Sequence, residues 1–135
     1  MKSKHFKIHE LVPKKMYEMF GDLAWRFVDP RLIESLDMLK DHFNSGTMTV
    51  NNYFWGGKRQ WSGIRTPDSK YYSENSMHTF GKAVDFVCSD YSSEEIRIFI
   101  AKNPHRFPHI KGIEVEVDWV HIDIRNEDFI VFFKG

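Results

Sequence analysis

The stretch Ser76-Met77-His78-Thr79-Phe80-Gly81-Lys82-Ala83-Val84-Asp85-Phe86-Val87-Cys88 passes from polar residues through a glycine into an apolar run. Residues 82–88 read as a buried strand. Because successive side chains of a strand point to opposite sides, Val84 and Phe86 share one face, and Ala83, Asp85 and Val87 share the other. An aspartate on so apolar a strand needs a partner. His78 lies seven residues earlier, too far for one helical face, but a turn lets the strand bring Asp85 back beside it. Gly81 permits the close approach or positive φ that such a turn requires, and Ala83 leaves room beside the carboxylate.

Working outward, the clearest helix starts where Asp29 can cap free amides and Pro30 takes the first helical position, where its missing N–H costs nothing. Leu32, Ile33, Leu36, Leu39 and Phe43 follow at three- and four-residue spacing and make one apolar stripe. Asn44-Ser45-Gly46 stops it. Upstream, residues 6–12 alternate in polarity and predict a short strand or a docked extended arm closed by Pro13. Residues 14–20 predict a helical turn or two ended by Gly21.

Residues 48–53 predict a strand, followed by loops at 55–59 and 66–75; aperiodic loops of that length in a small domain are often functional. Ser92 with Glu95 forms a capping box, and Ile96, Phe99 and Ile100 mark the inner face of a helix ending before Pro104. The tail holds three strand-like runs, 113–117, 119–125 and 129–133. The sequence contains no internal repeat and no low-complexity linker. The expected architecture is a single α+β domain over residues 1–135, a small antiparallel sheet with flanking helices.

Composition narrows the function classes. A chain of 135 residues, 41% hydrophobic and 16% aromatic, has enough apolar material for one core but not for two domains. Lys plus Arg equals Asp plus Glu at 19 each, so the chain lacks the cationic excess that a phosphate backbone rewards, and nucleic acid is not an expected partner. No apolar run is long enough to span a membrane, and no secretory signal follows Met1 and Lys2. The expectation is a monomer made in the cytoplasm. Cys88 is the only cysteine, so packing, with any bound metal, must replace an internal disulfide.

The third side chain with a claim on the His78 and Asp85 pair is His121, in Asp118-Trp119-Val120-His121-Ile122-Asp123. Two imidazoles and a carboxylate suit zinc, and three protein ligands leave the fourth position for water, as in catalytic rather than structural sites.

With these residues in hand, the chain resembles peptidase family M15, the zinc D-alanyl-D-alanine carboxypeptidase and phage endolysin group. The family motif S-x-H-x-x-G-x-A-x-D stands here as Ser76, His78, Gly81, Ala83 and Asp85, and its carboxylate-x-x-His as Asp118 and His121. Ser62-Gly63-Ile64-Arg65-Thr66 is similar to a third segment, S-G-[YF]-R-[ST], with Ile64 departing from the usual aromatic. The resemblance implies a hedgehog/DD-peptidase-like fold around an antiparallel sheet and hydrolysis of a peptide bond in the cell-wall stem. It makes His78, Asp85 and His121 the Zn²⁺ ligands and Asp118 the general base. Arg65 becomes the residue that holds a substrate carboxylate or stabilises the oxyanion, and Ser76 a further substrate contact.

The base position is glutamate in the dipeptidase-like members and aspartate in some endolysin-like ones. An aspartate is a methylene shorter and must start closer to the metal; Glu116 is the alternative. Three activities stay open: an endopeptidase within the stem peptide, which is preferred, a carboxypeptidase removing terminal D-alanine, and a noncatalytic zinc module that binds wall peptide or belongs to a phage particle. Of the remaining polar side chains, Asp123 has two readings, orientation of an imidazole or an ordinary surface ion pair. Glu114, Glu116 and Asp118 also read as the solvated edge of a strand. Trp25 is expected in the core, Trp55, Trp61 and Trp119 are uncommitted, and His5, His9, His42, His105 and His109 read as surface residues.

Overall fold

The computed structural model describes all 135 residues as an α+β fold with three α-helices and one five-stranded sheet. The helices are α1 (Lys14–Phe20), α2 (Pro30–His42) and α3 (Ser93–Lys102); the strands are β1 (Met48–Thr49), β2 (Ala83–Cys88), β3 (Gly112–Glu114), β4 (Val120–Asp123) and β5 (Val131–Phe133). Short 3₁₀ turns at Ile8–Glu10, Gly21–Phe27, Tyr53–Trp55, Met77–Phe80 and Pro104–Arg106 fill the connections. No helix is long and apolar enough to cross a membrane.

The sheet runs β1-β2-β4-β3-β5. The first three pairings are antiparallel, but β5 lies parallel to β3 with Gly112 opposite Val131 and Glu114 opposite Phe133. The expected all-antiparallel sheet is therefore corrected to a mixed one. The 124–130 segment carries the chain from the end of β4 to the far side of β3, so β5 enters in the direction of β3 and opposite to that of β4.

Helix α2 begins as the sequence requires. Asp29 accepts a hydrogen bond from the Arg31 amide (2.9 Å) with Pro30 at the first position, and Leu32, Ile33, Leu36 and Leu39 are almost wholly buried. Full burial of each such side chain stabilises by roughly 1.5–3 kcal/mol, more than any propensity difference along the helix. At α3 both halves of the Ser92/Glu95 capping box form. The 6–12 segment is a docked arm with a 3₁₀ turn rather than a strand; Phe6, Ile8, Leu11 and Val12 enter the core. β1 is only two residues long, and the tail strands are shorter than their apolar runs.

Alternation gives the sheet two unlike faces. Val84 and Phe86 of β2, Val120 and Ile122 of β4 and Ile113 of β3 join Leu32, Ile33, Leu36, Leu39, Ile96 and Ile100 in one continuous core. The other face carries polar groups in two cross-strand rows. Ala83, Asp123, Gly112 and Val131 form one; Asp85 opposite His121, with Glu114 opposite Phe133, forms the next.

Candidate metal centre

His78 sits on the turn Met77–Phe80. Ser76 caps that turn by accepting from the His78 amide (3.2 Å), and Gly81 ends it in the left-handed region at φ 69°. A Cβ on Gly81 would also overlap the Phe27 carbonyl, so the position needs glycine on both counts. The His78 Nδ1–H donates to the Gly63 carbonyl at 2.8 Å. A carbonyl only accepts, which fixes the tautomer and leaves the Nε2 lone pair facing Asp85 Oδ1, 3.3 Å away.

The pairing of β2 with β4 sets Asp85 directly opposite His121, and His121 Nδ1 lies 2.8 Å from the same Oδ1. The other oxygen of Asp85 accepts from Arg65 Nη2 at 3.0 Å, and Arg65 Nε donates to the Trp61 carbonyl at 2.7 Å. His121 Nε2 is 2.7 Å from Asp123 Oδ2, and Arg125 closes on Asp123 with two bonds of 2.8 and 2.7 Å. Asp123 is completely buried. Of its two sequence readings, imidazole orientation is the one the geometry bears out, and the surface ion pair is excluded.

Burial would raise the carboxyl of Asp85, but the hydrogen bond from His121 and the proximity of both imidazoles outweigh it and hold the group well below the usual carboxylate range. Burial acts the same way on Asp123 and is overcome by Arg125 and His121. For His121, burial lowers the imidazolium pKa, yet the bonds to Asp123 and Asp85 prevail and lift it to about 9. Both carboxylates thus stay ionised and favour positive charge on or beside the His121 ring that lies between them.

The donor set fits a small divalent cation. His78, Asp85 and His121 each offer one ligand atom, all within 4.8 Å of one another. Two atoms each about 2.0–2.1 Å from one tetrahedral ion lie about 3.4 Å apart, and the two measured separations from Asp85 Oδ1, 2.8 and 3.3 Å, need little adjustment to meet that. Each ligand already has the outer partner a bound metal requires: Gly63 for His78, Arg65 for Asp85, Asp123 for His121.

The three candidate ligands stand in the wall of a groove of about 500 Å³ that Arg65 and Ser76 also line. Aromatic walls come from Trp61, Tyr71, Trp119 and Phe133, and charged ones from Lys58, Arg59 and Glu114. Asp118 is exposed on the bend before β4 and is not part of the wall; its carbonyl accepts from Ser93 Oγ at the start of α3 (2.9 Å). Glu116 is exposed, has φ 63° and pairs with Lys134 at 3.2 Å. Glu114 is the second acidic residue of the groove beside Asp85; the sequence offered it only as the solvated edge of a strand, because its place comes from strand register.

Trp25 is in the core as expected, while Trp55 is 63% exposed and outside the groove. His9 corrects the surface reading. It is buried and stacked on Phe54 with ring centroids 4.0 Å apart, and burial lowers its pKa. Cys88 is half-buried, its thiol pushed by burial to about 11, which makes it a poor nucleophile. No protein-family model, curated protein or solved structure matches this chain.

Proposed function

We propose that this chain is a zinc peptidase that hydrolyses a peptide bond in the bacterial cell wall, as its resemblance to the carboxypeptidase and endolysin group implies. The observation that carries the reading is the convergence of His78 Nε2, Asp85 Oδ1 and His121 Nδ1, from a turn and two strands, in the wall of a groove of about 500 Å³. The finer fold assignment, hedgehog/DD-peptidase-like, belongs to the same proposal and rests on that placement of the motif residues.

Zn²⁺ held by these three side chains would polarise a carbonyl and lower the pKa of water from 15.7 to about 7. The chain's own groups do the rest. Trp61, Tyr71 and Trp119 offer faces to the substrate backbone and side chains, and they help exclude water. Arg65, fixed by Asp85 and the Trp61 carbonyl, holds positive charge where negative charge develops on the carbonyl oxygen.

An endopeptidase is the better fit within this class. A carboxypeptidase wants an arginine fork free to grip a terminal carboxylate. Arg65 is committed to Asp85 and Trp61, and Arg59 donates to the Val50 carbonyl (3.1 Å) and Ser62 Oγ (3.3 Å). Incubation with purified peptidoglycan and mass spectrometry of the fragments tests this. Internal cuts in the stem are expected, and loss of terminal D-alanine alone would select the carboxypeptidase.

A second reading is favoured by the two carboxylates flanking His121. With its pKa near 9, a proton can close the cluster without any cation, leaving a noncatalytic module that binds wall peptide or forms part of a phage particle. Metal analysis of the purified chain separates the proton-closed cluster from a metal centre: one zinc per chain supports the metal centre that the peptidase needs, none after incubation with zinc leaves the proton-closed cluster, and hydrolysis of peptidoglycan then separates the peptidase from a noncatalytic zinc module.

A further inference from the structure

We infer that a second ligand site lies at the loop carrying Phe54 and Trp55 and takes a saccharide; its assignment to the glycan strand of the wall rests on the peptidase reading above, whereas saccharide binding itself does not. Phe54 and Trp55 are 53% and 63% exposed, with ring centroids 6.0 Å apart and planes at 88°. Adjacent large aromatics turned to water mark binding surfaces, where isolated ones do not. The loop that presents them is closed rather than loose. The amides of Asn52 and Tyr53 donate to the Arg59 carbonyl (3.0 and 3.2 Å), the Gly57 amide donates to the Asn52 carbonyl (3.0 Å), and Asn52 Oδ1 accepts from the Arg59 amide (2.9 Å). Gly56 makes the turn at φ 91°, and the Tyr53 hydroxyl donates to the Val12 carbonyl at 2.9 Å. Both rings are thus held in place before a ligand arrives, which reduces the ordering cost of binding.

Phe54 also walls a pocket of about 370 Å³, a size that suits a small molecule. Tyr17 and Trp25 add apolar wall, and Lys7, Asp22 and His9 add polar groups. His9 is the unusual member. Its ring stacks on Phe54 at 4.0 Å and meets Trp55 and Tyr17 edge-on at 5.0 and 5.6 Å. The residue is 7% exposed, and its Nδ1 is the one buried side-chain nitrogen or oxygen of the molecule without a hydrogen-bond partner. Burial, with Lys7 nearby, lowers its pKa, so near pH 7 the ring is neutral and offers one N–H and one lone pair. A buried polar atom without a partner needs a cause. A hydroxyl both donates and accepts, and so a hydroxylated ligand in this pocket suits the imidazole whichever nitrogen holds the proton.

The mixture of walls selects the ligand class. A pyranose ring has apolar C–H faces and a rim of hydroxyls, and it is met by aromatic faces with hydrogen-bonding groups set among them. A peptide helix or a second copy of this chain would want a continuous apolar strip. Here charge interrupts the strip, since Lys7 is on the wall and Lys2 and Asp22, also on the wall, pair at 3.0 Å. The same loop joins the pocket to the groove: Phe54 lines the first, and Lys58, Arg59, Gln60 and Trp61 line the second. A wall glycan carries its stem peptide as a branch. One closed loop therefore serves the sugar on one side and the peptide on the other.

The test is calorimetric titration of the full chain, in chelator so that hydrolysis plays no part, with two probes: tetra-N-acetylchitotetraose and wall glycan strands freed of their peptides. Saturable binding of both is expected, with each probe displacing the other. Trp55→Ala should weaken binding by about tenfold or more with an unchanged melting temperature, because the side chain it removes is mostly in solvent. His9→Phe, which keeps a flat ring against Phe54 but removes both nitrogens, should weaken it by about fivefold. Phe129→Ala removes an aromatic that is 84% exposed and lines neither cavity, and it should bind as the parent does.

Three outcomes overturn the inference: neither probe binds, Trp55→Ala binds as tightly as the parent, or the parent sediments as a dimer that Trp55→Ala breaks and no sugar is bound, which gives the surface to a second copy. Chitotetraose bound without the freed strands overturns the assignment to the wall. Failure of the peptidase reading looks different, as a zinc-loaded chain that cuts no wall peptide, and it leaves the titration with chitotetraose untouched.

Discussion

Asp123 shows how much of the candidate site depends on a residue that does not line the groove. Its carboxylate is completely buried between His121 Nε2 and the Arg125 guanidinium, and it decides which imidazole nitrogen faces Asp85. Asp123→Asn keeps the volume but removes the charge, and it can present an amide N–H to His121. Outer partners of metal-bound histidines are worth about 10–100-fold in affinity, so a chelator-competition titration should find zinc binding weaker by that factor. Gly112 serves the same carboxylate from across the ladder, because a Cβ there would overlap the Asp123 side chain. Gly112→Ala is therefore expected to weaken zinc binding as well, and unchanged affinity in both variants would show that Asp123 does not orient the ligand. The sequence left Asp123 between two readings, and it was silent on Gly112, because neither burial nor the opposing strand is visible in a local window. His78, Asp85 and His121 were legible because a turn glycine, an apolar strand and a spaced second motif each constrain a short segment.

Among the elements, those with local start signals were read most fully. Asp29 and Pro30 mark the head of α2 within two residues, and Ser92 with Glu95 marks α3. The strands were read less well, since apolar alternation continues past the point where the ladder ends: of residues 113–117 only Ile113 and Glu114 fall within β3, with Val115 adding one further bond to Phe133. The parallel entry of β5 could not be read at all, because it is set by a pairing between distant segments. His9 was misread because the aromatic cover it finds, Phe54 and Tyr17, comes from other parts of the chain. The α2 cap carries a prediction of its own. Asp29→Ala should cost about 0.5–2 kcal/mol at neutral pH, measured by urea denaturation. Hydrogen bonds from the Arg31 side chain, the largest influence, hold the Asp29 carboxyl below its ordinary 3.8. A carboxyl depressed in the folded state adds stability above its unfolded value and loses it as pH falls through the folded one. The gap between parent and Asp29→Ala should therefore be full above about pH 5 and shrink below about pH 4; a gap that widens in acid would contradict the capping role.

At the scale of the whole molecule, the three candidate ligands come from parts of the chain that meet only in the folded state. His78 belongs to the turn before β2, Asp85 to the middle of β2 and His121 to β4, and the outer partners add the loop at Gly63 and Arg65. An unfolded chain holds these donors far apart, so a cation that binds them binds the native state almost alone. Free zinc at 100 times its dissociation constant then adds about 2.7 kcal/mol to stability. With an unfolding entropy of roughly 2.1 cal/mol/K per residue, a chain of 135 residues should gain about 10 °C in Tm from that zinc. Melting in chelator and in buffered zinc measures it directly. The triple variant His78→Ala, Asp85→Ala, His121→Ala separates a specific effect from a general one, since its melting point should not respond to zinc at all. The fold should survive in chelator, because the core of Leu32, Ile33, Leu36, Phe86, Ile100, Ile113 and Ile122 lies on the opposite face of the sheet from the ligands. Equal melting points with and without zinc in the parent would mean that the cluster is closed by a proton on His121 instead, and that no ion joins the two strands.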